Sequence, residues 1–268
     1  MIKKHLFSTL VILLLVACFI FSMFFSRSAN AATGDNTSQY LFQRLKSDKI
    51  IVNKLLPKGA TANYSISEKN KCVTIYLSFP KGYTLRQKKE LVKLIQKSIA
   101  IDKLNYIRNK EKTSGKTTSS YGTDYYLTGE KKFNSYGSTI DNFINTTGHV
   151  ANYGLFEKIT IAVTGAGIIQ NPPPNYEGIR TDAKIHVWGL GLSISLPLSV
   201  SAGIITENTF SYSVSESSPD QLAVITDPLI YVCYGLSFCR FGEDQTVTIG
   251  RGGFDDPYWY YIGQNIYN

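Results

Sequence analysis

Histidine is scarce in this chain: 3 in 268 residues, one of them in the apolar leader, which leaves His149 and His186. No HExxH pair, no cysteine–histidine zinc spacing and no GxSxG elbow occurs, so the common signatures of metalloproteases, zinc modules and α/β-hydrolases are missing. Gly165-Ala166-Gly167 lacks the third glycine of a dinucleotide loop. Asp255 and Asp256 are adjacent, so a strand sends them to opposite faces, and no carboxylate pair suited to a glycosidase can be nominated. On these grounds the sequence assigns no catalytic, cofactor-binding or metal-ligating residue, and no cofactor is expected. Cysteine is also sparse, with 4 in the chain; apart from Cys18 these are Cys72, Cys233 and Cys239. An odd set cannot pair completely. Cys233 and Cys239 flank a bend at Gly235 and are the expected disulfide, the alternative being reduced core thiols.

A second long apolar run is missing too. The first, Leu6 to Phe25, follows Lys3 and Lys4 and precedes Ala29-Asn30-Ala31. A basic start, an apolar core and a small-residue site read as an export signal over residues 1–31, cut after Ala31. The alternative is an uncleaved anchor facing the exterior, because twenty apolar residues can span a bilayer. Leu15-Val16-Ala17-Cys18 resembles a bacterial lipobox, but the apolar core continues past Cys18, so this cysteine belongs to the signal. The expectation is a secreted protein of bacterial type.

Charge divides the remainder. Between Tyr40 and Lys132 there are 20 Lys+Arg against 7 Asp+Glu, and from Phe133 to Asn268 there are 5 against 12. This contrast predicts an α+β chain with a small basic α+β module over 33–112, a linker over 113–122 and a larger, mostly antiparallel β module over 123–268. The β module is expected to be a sandwich or an elongated sheet.

In the basic module, Tyr40, Leu41 and Leu45 indicate a short helix. Ile50-Ile51-Val52 and Leu55-Leu56 indicate a strand or a second short helix. Tyr64 to Ser67 and Cys72 to Phe79 read as strands. Thr84-Leu85-Arg86-Gln87 matches a capping box, in which hydroxyl and amide side chains satisfy free N–H groups at a helix start. The helix that follows buries Leu91, Val92, Leu94, Ile95 and Ile99 and turns Lys88, Lys89, Lys93 and Lys97 outward. That lysine face is a solvated surface, a contact for an anionic envelope polymer or phospholipid surface, or a dock for the acidic half of the same chain. No stacking aromatics are interleaved with the lysines, so nucleic acid is not an expected partner.

Beyond Tyr121 the pattern is strands and turns, interrupted by an expected helix over Ser138 to Asn145. Gly250-Arg251-Gly252-Gly253 reads either as a plain loop or as a turn whose N–H groups suit an anion. Pro257-Tyr258-Trp259-Tyr260-Tyr261 is the densest aromatic patch. It reads either as a strand burying alternate rings or as a glycan-stacking or interfacial surface using Tyr258, Trp259, Tyr260 and Tyr261.

The longest regular pattern is Trp188 to Ile204. Trp188, Leu190, Leu192, Ile194, Leu196, Leu198 and Val200 alternate with Gly189, Gly191, Ser193, Ser195, Pro197 and Ser199. A period of two is a strand signature. Seventeen residues at about 3.3 Å each would reach roughly 56 Å, so the run is one bent strand or two strands parted near Pro197, with Thr209 to Glu216 pairing back on it. His186 shares this parity, which places it on an apolar face. Ser, Thr and Gly opposite aliphatics over about thirty residues resemble the membrane-inserting segment of β-barrel pore-forming toxins, whose pattern is compositional. That resemblance implies that the seven apolar residues from Trp188 to Val200 face lipid and that the chain oligomerises.

Three functions follow as expectations. The first is an exported, non-enzymatic protein acting at a cell envelope or membrane, membrane-active in its sharpest form. The others are a wall- or glycan-binding module and an enzyme of unrecognised type.

Overall fold

The structure is a computed structural model that describes residues 35–69, 71–113, 122–153, 156–190, 193–196, 199–201, 205–213, 223–228, 230–235 and 237–265. The chain separates into two compact units, one ending at Tyr40 and one running from Leu41 to Asn268. The second unit contains every described strand and is mostly antiparallel β, with two helices, in the α+β class.

Helix α1 (Asp35–Leu55) is continuous where two short elements were expected. Its buried positions, Leu41, Arg44, Asp48 and Val52, recur every three or four residues, so one helical stripe includes both apolar segments. Strands β1 (Thr61–Ser67) and β2 (Cys72–Ser78) lie where two strands were expected, and they pair antiparallel. Helix α2 (Leu85–Thr113) begins at the expected capping box. Gln87 N–H donates to Thr84 Oγ1 at 3.3 Å, and Thr84 N–H donates to Gln87 Oε1 at 2.9 Å.

Strands β3 (Thr123–Ser135), β4 (Ser138–Tyr153), β5 (Phe156–Gln170) and β6 (Tyr176–Leu190) are long. They are followed by β7 (Ser193–Leu196), β8 (Ser199–Ser201), β9 (Ile205–Ser213), β10 (Ala223–Pro228), β11 (Tyr231–Gly235), β12 (Ser237–Arg251) and β13 (Phe254–Asn265). Nine strands build one sheet. In it β5 pairs with β4 along one edge, and with β10 and then β11 along the other. Four strands build the second, in the order β13-β12-β6-β9. Tyr136 and Gly137 have φ of 50° and 77°, and Gly252 and Gly253 have 56° and 79°. Both two-residue turns thus have the left-handed pair that matches hairpin twist.

Three layers result. Ile159, Ile161 and Val163 of β5 meet Ala183, Ile185 and Val187 of β6 and Phe241 of β12 between the sheets. On the other face of the large sheet, Ala166 and Ile168 meet Val92, Ile95 and Ile99 of α2 and Leu41 and Val52 of α1. Each fully buried aliphatic side chain contributes about 1.5–3 kcal/mol. Between the sheets, a Cβ on Gly167 would lie 2.8 Å from Val247 Cγ1, so glycine sets the sheet separation there.

Burial on both faces explains the unexpected strand at Ser138 to Asn145. Ile140, Phe143 and Ile144 are spaced like a helical stripe, but Ile140 joins the inter-sheet core while Phe143 joins the core under the helices. A doubly covered strand loses its alternation.

The basic and acidic halves meet inside one sheet, because β2 pairs with β10. The linker expected over 113–122 lies almost wholly outside the described residues, as does the signal segment over 1–31.

Candidate functional site

The outer face of the four-stranded sheet gathers the chemistry. On β6, Ile185 and Val187 point into the core while His186 and Trp188 point away from it. On β12, Phe241, Glu243, Gln245 and Val247 are buried, and the alternate positions Arg240, Gly242 and Asp244 occupy the outer face. On β13, Tyr258 and Tyr260 turn inward and Trp259 and Tyr261 outward; Trp259 is 59% exposed. Among the described residues, no element packs on this face.

Four side chains form a row. The His186 and Trp188 rings stack at 5.5 Å with planes 15° apart. The Arg240 guanidinium lies 5.4 Å from the Trp188 ring centroid and 5.5 Å from that of Tyr261. Each such cation–ring contact is worth about 0.5–2 kcal/mol, more where water is excluded. His186 Nε2 lies 2.8 Å from Asp244 Oδ2. Glycine makes the row fit: a Cβ on Gly242 would fall 2.4 Å from Tyr261 Oη, and one on Gly263 would fall 2.9 Å from Arg240 Nη2. The Tyr261 ring therefore lies across two glycines of neighbouring strands.

Several expectations change here. The face of His186 is charged and half-buried where an apolar one was expected, because Trp188 shares its outward parity and Val187 faces the core. The Trp188–Ile204 run is neither one strand nor two parted only near Pro197. Trp188 and Leu190 end β6 in the small sheet, while Ile194 and Leu196 lie on β7, which pairs with β11 in the large sheet. Val200 lies on β8, paired with Ile194. Leu192 and Leu198 fall outside the described residues, as do the side chains of Leu190, Ile194, Leu196 and Val200. The returning segment is β9, which pairs with Asp182–Leu190, so its described pairing with the run is confined to Trp188–Leu190.

Cys239 is a free, exposed thiol that donates to the Trp188 carbonyl at 3.4 Å, so the expected Cys233–Cys239 bridge is not formed. Cys233 stands on β11 of the large sheet, whereas Cys239 occupies a bulge of β12 in the small one. The glycine turn after β12 already holds an anion of the same chain: Gly253 N–H donates to Glu177 Oε1 at 2.8 Å. Asp255 and Asp256 pair with Arg180 and Arg251.

The lysine face is partly an internal dock. Lys89 and Lys93 bind Glu130 at 2.7 and 2.6 Å, and Lys89 reaches Asp141 at 2.7 Å. Burial pushes Glu130 up, but the hydrogen bonds and charges of the two lysines outweigh it and hold the carboxyl below its ordinary value. Lys88 sits 5.5 Å from the Phe79 ring centroid, and burial lowers its pKa. Lys97 remains exposed.

The sequence reading missed Arg240 and the His186–Asp244 pair. A signal was available: Arg240 is one of only 5 cations between Phe133 and Asn268.

No family model matches the chain, and no curated protein matches it. A chain of the solved structure of manganese lipoxygenase of Gaeumannomyces graminis and partial zonadhesin of Komagataella pastoris aligns over 56% of this chain and 76% of its own, at 6% identity and a TM-score of 0.18. Likeness at that level carries no argument. Among the described residues, no helix is long and apolar enough to cross a membrane, and no cluster of three or more His, Cys, Asp or Glu is placed to hold a metal ion.

Proposed function

We propose that this is an exported, non-enzymatic protein that binds glycans of a cell envelope through the outer face of the four-stranded sheet. The observation that carries the reading is the aromatic outer face of β6, β12 and β13, on which no element packs among the described residues. Trp259 is more than half exposed on that face, two residues from Tyr261, and stands opposite Thr246, six residues along β12 from the Arg240–Trp188 contact. Exposed rings stack on sugar faces, and fixed polar groups beside them orient hydroxyls. The strands hold these groups with little conformational freedom, which lowers the entropy cost of binding. The finer architecture belongs to this proposal: a basic N-terminal α+β module braces the larger β body, and its remaining free lysines, Lys97 among them, face anionic envelope material. Sedimentation with isolated cell walls and binding to defined oligosaccharides test it. Retention that falls at least tenfold in Trp259→Ala supports the reading, and retention unchanged by that substitution counts against it.

One feature favours a second, membrane-active reading. β8 ends the large sheet and β9 ends the small one, so segments around the alternating run lie at sheet edges, where fewest backbone bonds hold them. Dye release from liposomes, lost in Leu192→Asp or Ile194→Asp, would support it; no release at any dose removes it.

A further inference from the structure

Arg240 stands apart from the other arginines whose side chains are described. Arg44, Arg86, Arg180 and Arg251 each pair with a carboxylate. Arg240 has no carboxylate within 4.0 Å among the described residues, and its Nε is enclosed without a hydrogen-bond acceptor. The nearest acid of the same strand face, Asp244, is engaged by His186. Lys184 lies on the same outer face, exposed, in register with Asp244.

The rings of Trp188 and Tyr261 contact the guanidinium, and Gly263 leaves room for Nη2. A guanidinium held this way is fixed in orientation, and its edge presents parallel N–H donors, the geometry that fits an oxyanion through two hydrogen bonds. A neutral sugar hydroxyl would use one donor and leave the charge uncompensated. Trp259, exposed two residues from Tyr261 and six residues in register from Arg240, supplies a ring for a more distant sugar of the same polymer.

We propose that Arg240 is the anion subsite of this face and selects a sugar polymer bearing a carboxylate or phosphate. The proposal rests on the glycan-binding reading and names its substrate class. Trp188, Tyr261, Gly242 and Gly263 position the guanidinium.

The test uses the chain from Ala32 onward, the form left by the expected cleavage, which retains the whole Leu41–Asn268 unit. It is titrated calorimetrically at fixed ionic strength with a glucuronic acid oligomer, a glycerol phosphate oligomer and an uncharged glucose oligomer of equal length. At least one anionic oligomer should bind tenfold or more tightly than the glucose oligomer, and the preferred one identifies carboxylate or phosphate as the natural source. Arg240→Gln should abolish that preference, bringing the anionic oligomer down to the affinity of the glucose oligomer. Arg240→Lys, which keeps the charge and loses the fork, should restore only a minor part. Near-UV circular dichroism matching the parent shows that each variant is folded. Equal affinity for charged and neutral oligomers overturns the anion subsite and leaves the glycan reading standing. So does a preference that survives Arg240→Gln, or one lost instead in a Lys93→Gln, Lys97→Gln double variant. Binding to none of the three oligomers, nor to isolated walls, overturns both.

Discussion

Lys103 of α2 and Asp227 of β10 form an ion pair in which both side chains are wholly buried. Lys103 Nζ also donates to the carbonyls of Val163 and Pro228, at 2.9 and 2.7 Å. Arg44 of α1 reaches the same carboxylate at 3.2 Å, along with Asp48 at 2.9 Å and Asp102 at 2.5 Å. Two helices are thereby tied to the break between β10 and β11, where the interrupted ladder beside β5 leaves carbonyl groups needing donors. Burial is the largest influence on Lys103 and lowers its pKa, opposed mainly by the Asp227 charge.

Removing one partner of such a pair strands a buried charge. Lys103→Met should cost about 3–5 kcal/mol. The double variant Lys103→Met, Asp227→Leu should recover most of that loss. Urea unfolding of the two single variants and the double one measures the coupling; additive losses would show that the pair is not the clamp.

Asp48 gives the cluster a pH dependence of definite sign. Burial first, and then the neighbouring Asp227 charge, raise its pKa well above 3.8, against the pull of Arg44. The folded state therefore holds a proton that the unfolded chain releases, so the contribution of this carboxyl to stability is full below about pH 4 and is lost as pH rises toward its raised pKa. The slope from this group reaches about 1.4 kcal/mol per pH unit. Asn mimics the protonated carboxyl in shape and donors. Asp48→Asn should flatten the decline and equal or exceed the parent at pH 8 in urea midpoints measured from pH 4 to 8.

Gly242 lies beneath the Tyr261 ring. Gly242→Ala puts a methyl group where the ring now rests, so the ring must lift and its contact with Arg240 must open. Overpacking of this kind costs about 1–3 kcal/mol, less where the ring swings into solvent. The variant should stay folded with altered Trp188 fluorescence, while Gly252→Ala, where a Cβ would meet nothing within 4 Å, should leave that fluorescence unchanged.

At the start of α2, Thr84→Ala removes the acceptor for Gln87 N–H. The expected loss is about 0.5–2 kcal/mol, read as a lower thermal midpoint. Thr84→Ser should retain most of the parent stability.

What could be read from the sequence was local. Thr84 and Gln87 set a helix start through bonds three residues apart, and the strands at Tyr64–Ser67 and Cys72–Ser78 follow from local composition. The alternating run was correctly seen as extended wherever it is described. Its division between two sheets was not legible, because a period of two fixes which face a residue occupies without naming the partner strand. Ser138 to Asn145 misled for a related reason: cover on both faces replaced alternation with a spacing that mimics a helix. The site lay further out of reach. Trp188, Arg240 and Tyr261 come from three strands and meet only because β12 pairs with β6 on one side and β13 on the other.

By itself the sequence determined the β-rich class, the helix cap, the turns and the contrast between a basic and an acidic half, since each depends on neighbouring residues or on composition. Only the tertiary structure decided that those halves share one sheet, that Lys103 and Asp227 are sealed together, and that Arg240 is held between two rings. Those outcomes depend on pairing distant segments, and the free energy that selects one pairing comes from packing both sheet faces at once.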